Sequence, residues 1–258
     1  MAVMLLPLRD VVKNRRFTVR EVARTTSTQD LVRRAARAGA SDGYVCLARE
    51  QTEGRGRQGR RWLAPLDSAL LVSVLLRVPR EQTPALPFVA GLAVLDALAT
   101  FGTNESRLKW PNDVLARGRK LAGLLVELEP SSDAGEASAI VGLGLNLRRT
   151  SLPGIEAISL DDLVAPPPPA RRLLDAWLHA LAARLADLGL HGTAPLFAAW
   201  RRNSVGLGGR VRAVVHDGEP IEGVAEDVEA DGSLRIRTDA GVVRMVAGDV
   251  HLLPDDAA

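Results

Sequence analysis

Cysteine is nearly absent: the 258 residues include a single one, Cys46. One thiol excludes an intrachain disulfide and any thiolate-rich metal centre, and it fits a reducing compartment. Aromatic residues are scarce at 3%, too few to interleave with basic side chains as a stacking platform for single-stranded nucleic acid. An excess of charge of either sign is also missing. The 33 lysines and arginines nearly balance 31 acidic residues, for a net +2, so no global field argues for a nucleic-acid partner. Long apolar runs are missing too. The longest, residues 85–101, contains Pro87 and Asp96, which argues against a membrane span. The N-terminal MAVMLLPLRDVVKNRR has a short apolar run with no preceding basic region and no small-residue cleavage site, so no signal peptide is expected. The expectation is a cytoplasmic protein without a protein-built metal site.

What is present is the composition of a soluble globular chain, 47% hydrophobic and 25% charged, long enough for one large domain or a medium domain with a small companion. Ser27 to Asp30 has the spacing of a capping box and Gly39 that of a helix stop, so a short helix opens the ordered region. Tyr44–Ala48 and Ala69–Val78 read as buried strands, and Pro84–Phe101 as a helix lying on a sheet. Leu121–Leu128 and Ile140–Leu147 read as two further strands joined by SSDAGEAS. Leu173, Leu174, Trp177, Leu178, Leu181, Leu185 and Leu188 mark one face of an amphipathic helix, preceded by Pro166–Pro169, which fits either a linker or a loop leading into the helix. After Asn203, short valine- and arginine-alternating runs are separated by Asp217-Gly218, Asp231-Gly232 and Asp239-Ala240-Gly241. These hairpin signals predict a small antiparallel barrel.

The most chemical segment is GRGRQGRR, Gly54 to Arg61. Gly54, Gly56 and Gly59 satisfy the dinucleotide fingerprint, but that motif must open a helix, and here Pro65 and then a strand follow. A phosphate-binding Walker loop is also excluded, because Arg60 and Arg61 stand where lysine and a hydroxyl are required. The glycines admit close backbone approach and the arginines supply planar, permanent charges, which suits oxyanions. Their mutual repulsion predicts a loop that orders when a carboxylate or phosphate neutralises it. From the loop alone, a solvated basic loop touching RNA fits equally well.

Two further segments narrow the reading: KWPNDV (Lys109–Val114) and KLAGLLVE (Lys120–Glu127). With QTEGRGRQGRRW, and with the TSTQ segment at Thr26–Gln29 and VGLGLNL at Val141–Leu147, they resemble the biotin protein ligases almost position for position. The resemblance implies an α+β fold, a mixed sheet packed by helices as in class II aminoacyl-tRNA synthetases, over residues 1–203, and an SH3-like β-barrel over 204–258. It implies an ATP-dependent ligase that forms biotinyl-5′-AMP from biotin and MgATP and transfers biotin to a lysine of a biotin carboxyl carrier protein domain.

Carried over position by position, Ser27, Thr28 and Gln51 would bond the ureido ring, with Gln29, Gly123 and Leu125 also in the biotin site. Hydroxyl and amide groups suit a ureido group, which needs both donors and acceptors. Arg55 and Arg57, with the Gly54 and Gly56 backbone, would hold the biotin carboxylate and the ATP phosphates. Lys120 would neutralise charge at the α-phosphorus, and Asp113 would accept the proton of the incoming lysine. Asn112 and Asp113 would orient Mg2+ indirectly, while Trp62 and Asn146 would face adenine; Trp110 is assigned to packing. Gln29 stands where the family commonly has asparagine, and Gln58 where a basic residue is frequent. The chain ahead of Thr26 is too short for a winged helix-turn-helix, so neither DNA nor membrane is an expected partner, and a monomer or homodimer fits. A lipoate-type ligase, or from another class an RNA-binding module, are the rival readings.

Overall fold

A computed structural model of the chain describes residues 15–130, 134–150, 157–214 and 218–253. The N-terminal segment up to residue 14, the first three residues of the SSDAGEAS turn, and Asp217 of the Asp217-Gly218 hairpin signal lie outside those residues.

Strand β1 (Thr18–Thr25) leads into helix α1 (Thr28–Arg37) and returns as β2 (Tyr44–Gln51), parallel to β1. Next come β3 (Ala69–Pro79), a 3-10 segment over Arg80–Ala85 and helix α2 (Leu86–Ala99). The hairpin of β4 (Ser106–Lys109) and β5 (Asp113–Ala116) precedes the long pair β6 (Arg119–Glu129) and β7 (Glu136–Asn146). Helices α3 (Ala170–His191) and α4 (Thr193–Asn203) follow, and β8 (Ser204–Val205) adds a last short strand, parallel to β4. The eight strands form one sheet in the order β1-β2-β3-β7-β6-β5-β4-β8. All its inner pairings are antiparallel.

Side-chain alternation along β3 explains how both faces of this sheet are covered. Leu70, Val72, Val74 and Leu76 join the large core beneath α2 and α3, while Leu75 joins Val32, Cys46 and Ile140 under α1. Each such fully buried aliphatic side chain contributes about 1.5–3 kcal/mol relative to exposure. Cys46 is one of these packing residues, and burial pushes its thiol up to about 11. Helix α2 is apolar apart from Asp96, which pairs with Arg184 of α3, and is buried against the sheet and α3. Its hydropathy is therefore that of a core helix, although Arg80–Ala99 is long and apolar enough to cross a membrane. Helix α3 begins at the proline run, with Pro169 at its N-cap.

The expected elements are present, with small shifts at their ends. Strands β1, β4, β5 and β8 and helix α4 are additions to the elements expected from the sequence. The capping box at the start of α1 is a correction. Ser27 is the N-cap, but its hydroxyl makes no capping bond, and the reciprocal bond is missing because the Asp30 carboxylate is drawn to the guanidinium groups of Arg33 and Arg55, which are stronger donors than a backbone amide.

The second sheet comprises β9 (Arg210–Val214), β10 (Ile221–Val228), β11 (Leu234–Thr238), β12 (Gly241–Met245) and β13 (Asp249–Leu252), all antiparallel, in the order β12-β11-β10-β9-β13. Its two edge strands are consecutive in the chain. Laid flat, five strands put the edges about 19 Å apart, whereas the link from Met245 to Asp249 reaches about 14 Å. The sheet must therefore curl into a partly closed barrel around Val211, Ala213, Ala225, Val228, Leu234, Ile236, Met245 and Val250. The barrel docks on the first unit through Trp110, whose indole N–H donates to the Gly232 carbonyl at 2.9 Å, and through Arg201, which grips Asp227 and donates to the Val228 carbonyl.

Candidate active site

The face of the large sheet that carries α1 becomes a cavity where its side chains shrink. Ser73 on β3 lies opposite Gly142 on β7, and Gly144 lies opposite Gly123 on β6. Alternation thus puts a hydroxyl and three glycines on one floor. Ser27, Thr28, Gln29, Gln51, Arg55, Gly56, Arg57, Trp62, Asn112, Asp113, Lys120, Gly123 and Leu125 all line this cavity, so most of the expected site residues meet there.

At one end the N-terminus of α1 presents a polar cluster. Gln51 Oε1 accepts from the Thr28 backbone N–H at 2.7 Å and from the Thr28 hydroxyl at 2.9 Å. With its proton so committed, Thr28 Oγ1 accepts from Ser73 Oγ at 2.8 Å. Gln29 Nε2 donates to Glu127 Oε2 at 2.8 Å. Two polar atoms here are buried without a partner among the described residues, Ser27 Oγ and Gln29 Oε1. Buried polar atoms of this kind call for a ligand.

The arginine loop carries internal bonds and partners that its sequence alone does not announce. It is closed on itself, with Gly56 N–H donating to Arg60 O and Trp62 N–H to Gly54 O, each at 2.8 Å, and with Arg55 bridged to Arg61. Repulsion among the four arginines is offset because each has its own acceptor. Arg55 pairs with Asp30 at 2.5 Å, Arg60 with Asp249, and Arg61 with the Thr52 carbonyl at 2.9 Å. Arg57, unlike the exposed Arg61, is half-buried with only neutral acceptors: it reaches Gly248 O at 3.2 Å and Asn112 Oδ1 at 3.4 Å and forms no ion pair among the described residues. Burial lowers its pKa against the opposing pull of Asp249 and Asp113. A half-buried guanidinium without a carboxylate carries a desolvation cost that an incoming anion relieves.

The β4–β5 turn over Trp110, Pro111 and Asn112 sets Lys109 opposite Asp113. Asn112 Nδ2 donates to the Leu124 carbonyl at 2.5 Å, which fixes the turn to β6. Lys120, at the start of β6, points its ammonium at Asp113 Oδ1 from 2.6 Å and stands 5.9 Å from the Trp62 ring centre. Lys109 belongs to the same electrostatic cluster. Burial lowers its pKa, Asp113 and Asp249 oppose that, and Lys120 and Arg60 reinforce it.

Trp62 lies flat on the glycine floor: a Cβ on Gly144 would stand 2.5 Å from its Cε2, and one on Gly123 3.1 Å from its Cζ3. The remaining cavity is about 130 Å3, well below the roughly 300 Å3 at which ligand sites begin.

Two expected residues stand elsewhere. Asn146 is outside the lining, because its amide nitrogen already donates to the carbonyls of Ile158 at 3.1 Å and Lys120 at 3.3 Å, so it ties down the chain after residue 156 rather than offering that donor to a base. Gly54 is buried behind the loop, where a Cβ would meet Trp62 O at 2.5 Å. The sequence reading gave no role to Ser73, Glu127, Gly142, Gly144 or Asp249. A lone hydroxyl inside ALLVSVLLRV was the available signal for Ser73. Asp249 comes from the barrel and had none.

One cavity on a mixed sheet thus gathers a hydroxyl and amide cluster, a half-buried arginine without an ion pair and a lysine–aspartate pair, a set of groups suited to a small molecule with an anionic end. Residues 21–146 match the Biotin/lipoate A/B protein ligase family and residues 206–253 the Biotin protein ligase C terminal domain. A biotin–(acetyl-CoA-carboxylase) ligase of Mycobacterium tuberculosis is 39% identical over 242 residues, covering 90% of this chain and 88% of that protein. Its namesake in Paracoccus denitrificans is 34% identical, covering 89% and 98%. The Aquifex aeolicus biotin protein ligase, solved in complex with biotin and ATP, superposes with a TM-score of 0.76 at 26% identity, over 92% of this chain and 99% of that one. The chain belongs to the biotin protein ligase family, and it is a ligase.

Proposed function

We propose that the chain joins biotin to ATP, giving biotinyl-5′-AMP and pyrophosphate, and then transfers the biotinyl group to a lysine of a biotin carboxyl carrier protein domain. The observation that carries this is the placement of two unpartnered acceptors, Ser27 Oγ and Gln29 Oε1, and of a half-buried Arg57 without an ion pair around one cavity. A ureido ring at the first end and a carboxylate beside a triphosphate at the second match that distribution.

In the first step a biotin carboxylate oxygen attacks the α-phosphorus and pyrophosphate leaves. Arg57 holds the anions, and Lys120 exchanges Asp113 for the phosphate, neutralising the charge that develops there. That exchange leaves Asp113 free, within the same cavity, to take the proton of the acceptor lysine as its nitrogen attacks the acyl carbon and AMP departs. Magnesium would enter as part of the MgATP substrate, with Asn112 and Asp113 placed to orient it indirectly. Residues 1–203 are the catalytic unit in this reading and 204–258 the accessory barrel.

Biotin-dependent exchange of labelled pyrophosphate into ATP is the test. Exchange that depends on lipoate instead supports the lipoate-type reading, and no exchange with salt-dependent RNA binding supports the nucleic-acid reading.

A further inference from the structure

Glu127 is absent from the cavity lining, yet it touches two residues that define the cavity. Its Oε2 accepts from Gln29 Nε2 at 2.8 Å and pairs with Arg33 Nη2 at 2.9 Å, and Arg55 stands 3.9 Å away. A carboxylate only accepts. The end of the Gln29 side chain that faces it must be the NH2, and the oxygen must be the other end. That oxygen lies over the floor at Gly142, where a Cβ would stand 3.0 Å from it, buried and without a partner. The same logic fixes Gln51: two donors from Thr28 hold its oxygen, leaving its amide nitrogen as the donor. The two amides therefore offer opposite polarities, an acceptor from Gln29 and a donor from Gln51, and neither choice is made by the amide itself.

We propose that Glu127 is a specificity-determining positioning residue, which locks the Gln29 amide so that the cavity accepts only a ring carrying an N–H at that point. This rests on the reading of the substrate as biotin, whose cyclic urea offers a C=O flanked by two N–H groups. Released from Glu127, the Gln29 amide turns over at little cost and presents NH2 or C=O as the ligand requires. Recognition of the ring then persists, but discrimination against rings lacking the N–H is lost. Arg33 contributes indirectly. Its N–H groups demand an oxygen at the position of Glu127 Oε2, so a glutamine there keeps an oxygen facing Gln29.

The test compares biotin with the two cyclic carbamates in which one ring N–H is replaced by oxygen, using acid-dependent pyrophosphate exchange and kcat/KM. The wild type is expected to prefer biotin over at least one carbamate by about tenfold or more, since a site built for an N–H leaves a buried acceptor unpaired with the wrong ring. Glu127→Leu flattens that preference to within about threefold, chiefly through KM, while Glu127→Gln retains it. Gln29→Leu flattens it equally, and combining it with Glu127→Leu adds nothing further. Where Glu127→Leu fails to fold, Gln29→Leu and Glu127→Gln carry the comparison. Undiminished discrimination in Glu127→Leu or Gln29→Leu, or its loss in Glu127→Gln, overturns the proposal alone. Absence of biotin-dependent exchange in the wild type overturns the substrate reading and the proposal with it.

Discussion

Replacing Gly144 by alanine tests whether the glycine floor exists to seat Trp62. Gly144 is a strand residue, and alanine in its place stabilises a strand by about 0.5–1 kcal/mol through backbone entropy. Here the new Cβ would stand 2.5 Å from Trp62 Cε2 and 2.8 Å from both Cδ2 and Cζ2. Ordinary carbon–carbon contact is about 3.5–4.0 Å, so the indole must rise by about 1 Å as a rigid plate. Overpacking of this kind costs about 1–3 kcal/mol. The net expectation is a loss of about 0.5–2 kcal/mol in equilibrium unfolding. Because the ring lies 5.9 Å from Lys120 Nζ, its displacement also disturbs the reacting end of the cavity, where misplacement by 1 Å lowers rates by up to about 100-fold. At least a tenfold fall in pyrophosphate exchange follows. The decisive control is the Trp62→Ala background, in which the clash is gone and Gly144→Ala becomes neutral or stabilising. A penalty of the same size in both backgrounds refutes the role given to the floor.

Lys120→Ala suppresses adenylate formation by about 100- to 1,000-fold and Arg55→Ala speeds loss of the preformed adenylate, as followed by single-turnover assays with labelled ATP; near-normal formation in the first, or unchanged release in the second, counts against those roles. Asp249→Asn frees Arg60 from its barrel partner, so the KM for ATP falls severalfold at low salt and the difference fades as salt screens it; a KM that rises or stays constant at low salt contradicts the anion-competition account. Asp162 is held at about 2, against an ordinary 3.8, by the Ser159 hydroxyl and backbone N–H and by Arg149. A depressed carboxylate stabilises the fold above its unfolded pKa and ceases to do so as pH falls through the folded one. Asp162→Asn therefore lowers the Tm at neutral pH, and the gap to wild type closes between about pH 4 and pH 2; a gap independent of pH contradicts the assignment.

The parts of the site legible in the sequence are those whose meaning is local. GRGRQGRRW supplies its own glycines and arginines, and KWPNDV its own turn. The buried strands are equally visible, since apolar runs such as Ala69–Val78 need no distant partner to be recognised. What was misread depends on long-range partners. The Ser27–Asp30 spacing is a valid capping signal, but Asp30 binds Arg55, 25 residues on, which no local pattern announces. The loop looked self-repelling because the acceptor for Arg60, Asp249, lies 189 residues away in the barrel. Strand β1, with its charged and mostly exposed residues, carries no apolar signature because it is an edge strand whose pairing with β2 supplies the stability.

Arg33 shows why these distant contacts form one device rather than several. Its guanidinium meets three carboxylates: Asp30 at 2.7 Å, Glu127 at 2.9 Å and Glu129 at 2.6 Å. Burial lowers its pKa, yet the acidic partners outweigh that and the net shift is upward, so its charge is secure. Through Asp30 it orders the partner of Arg55, and through Glu127 it orders the partner of Gln29. The recognition end and the anion-gripping loop are thus referenced to the same planar group, on a helix that neither end contains entirely. A lysine keeps the charge but lacks the fork that spans three acceptors, so at this position geometry rather than charge is what holds Asp30 and Glu127, and through them Arg55 and Gln29, in one frame.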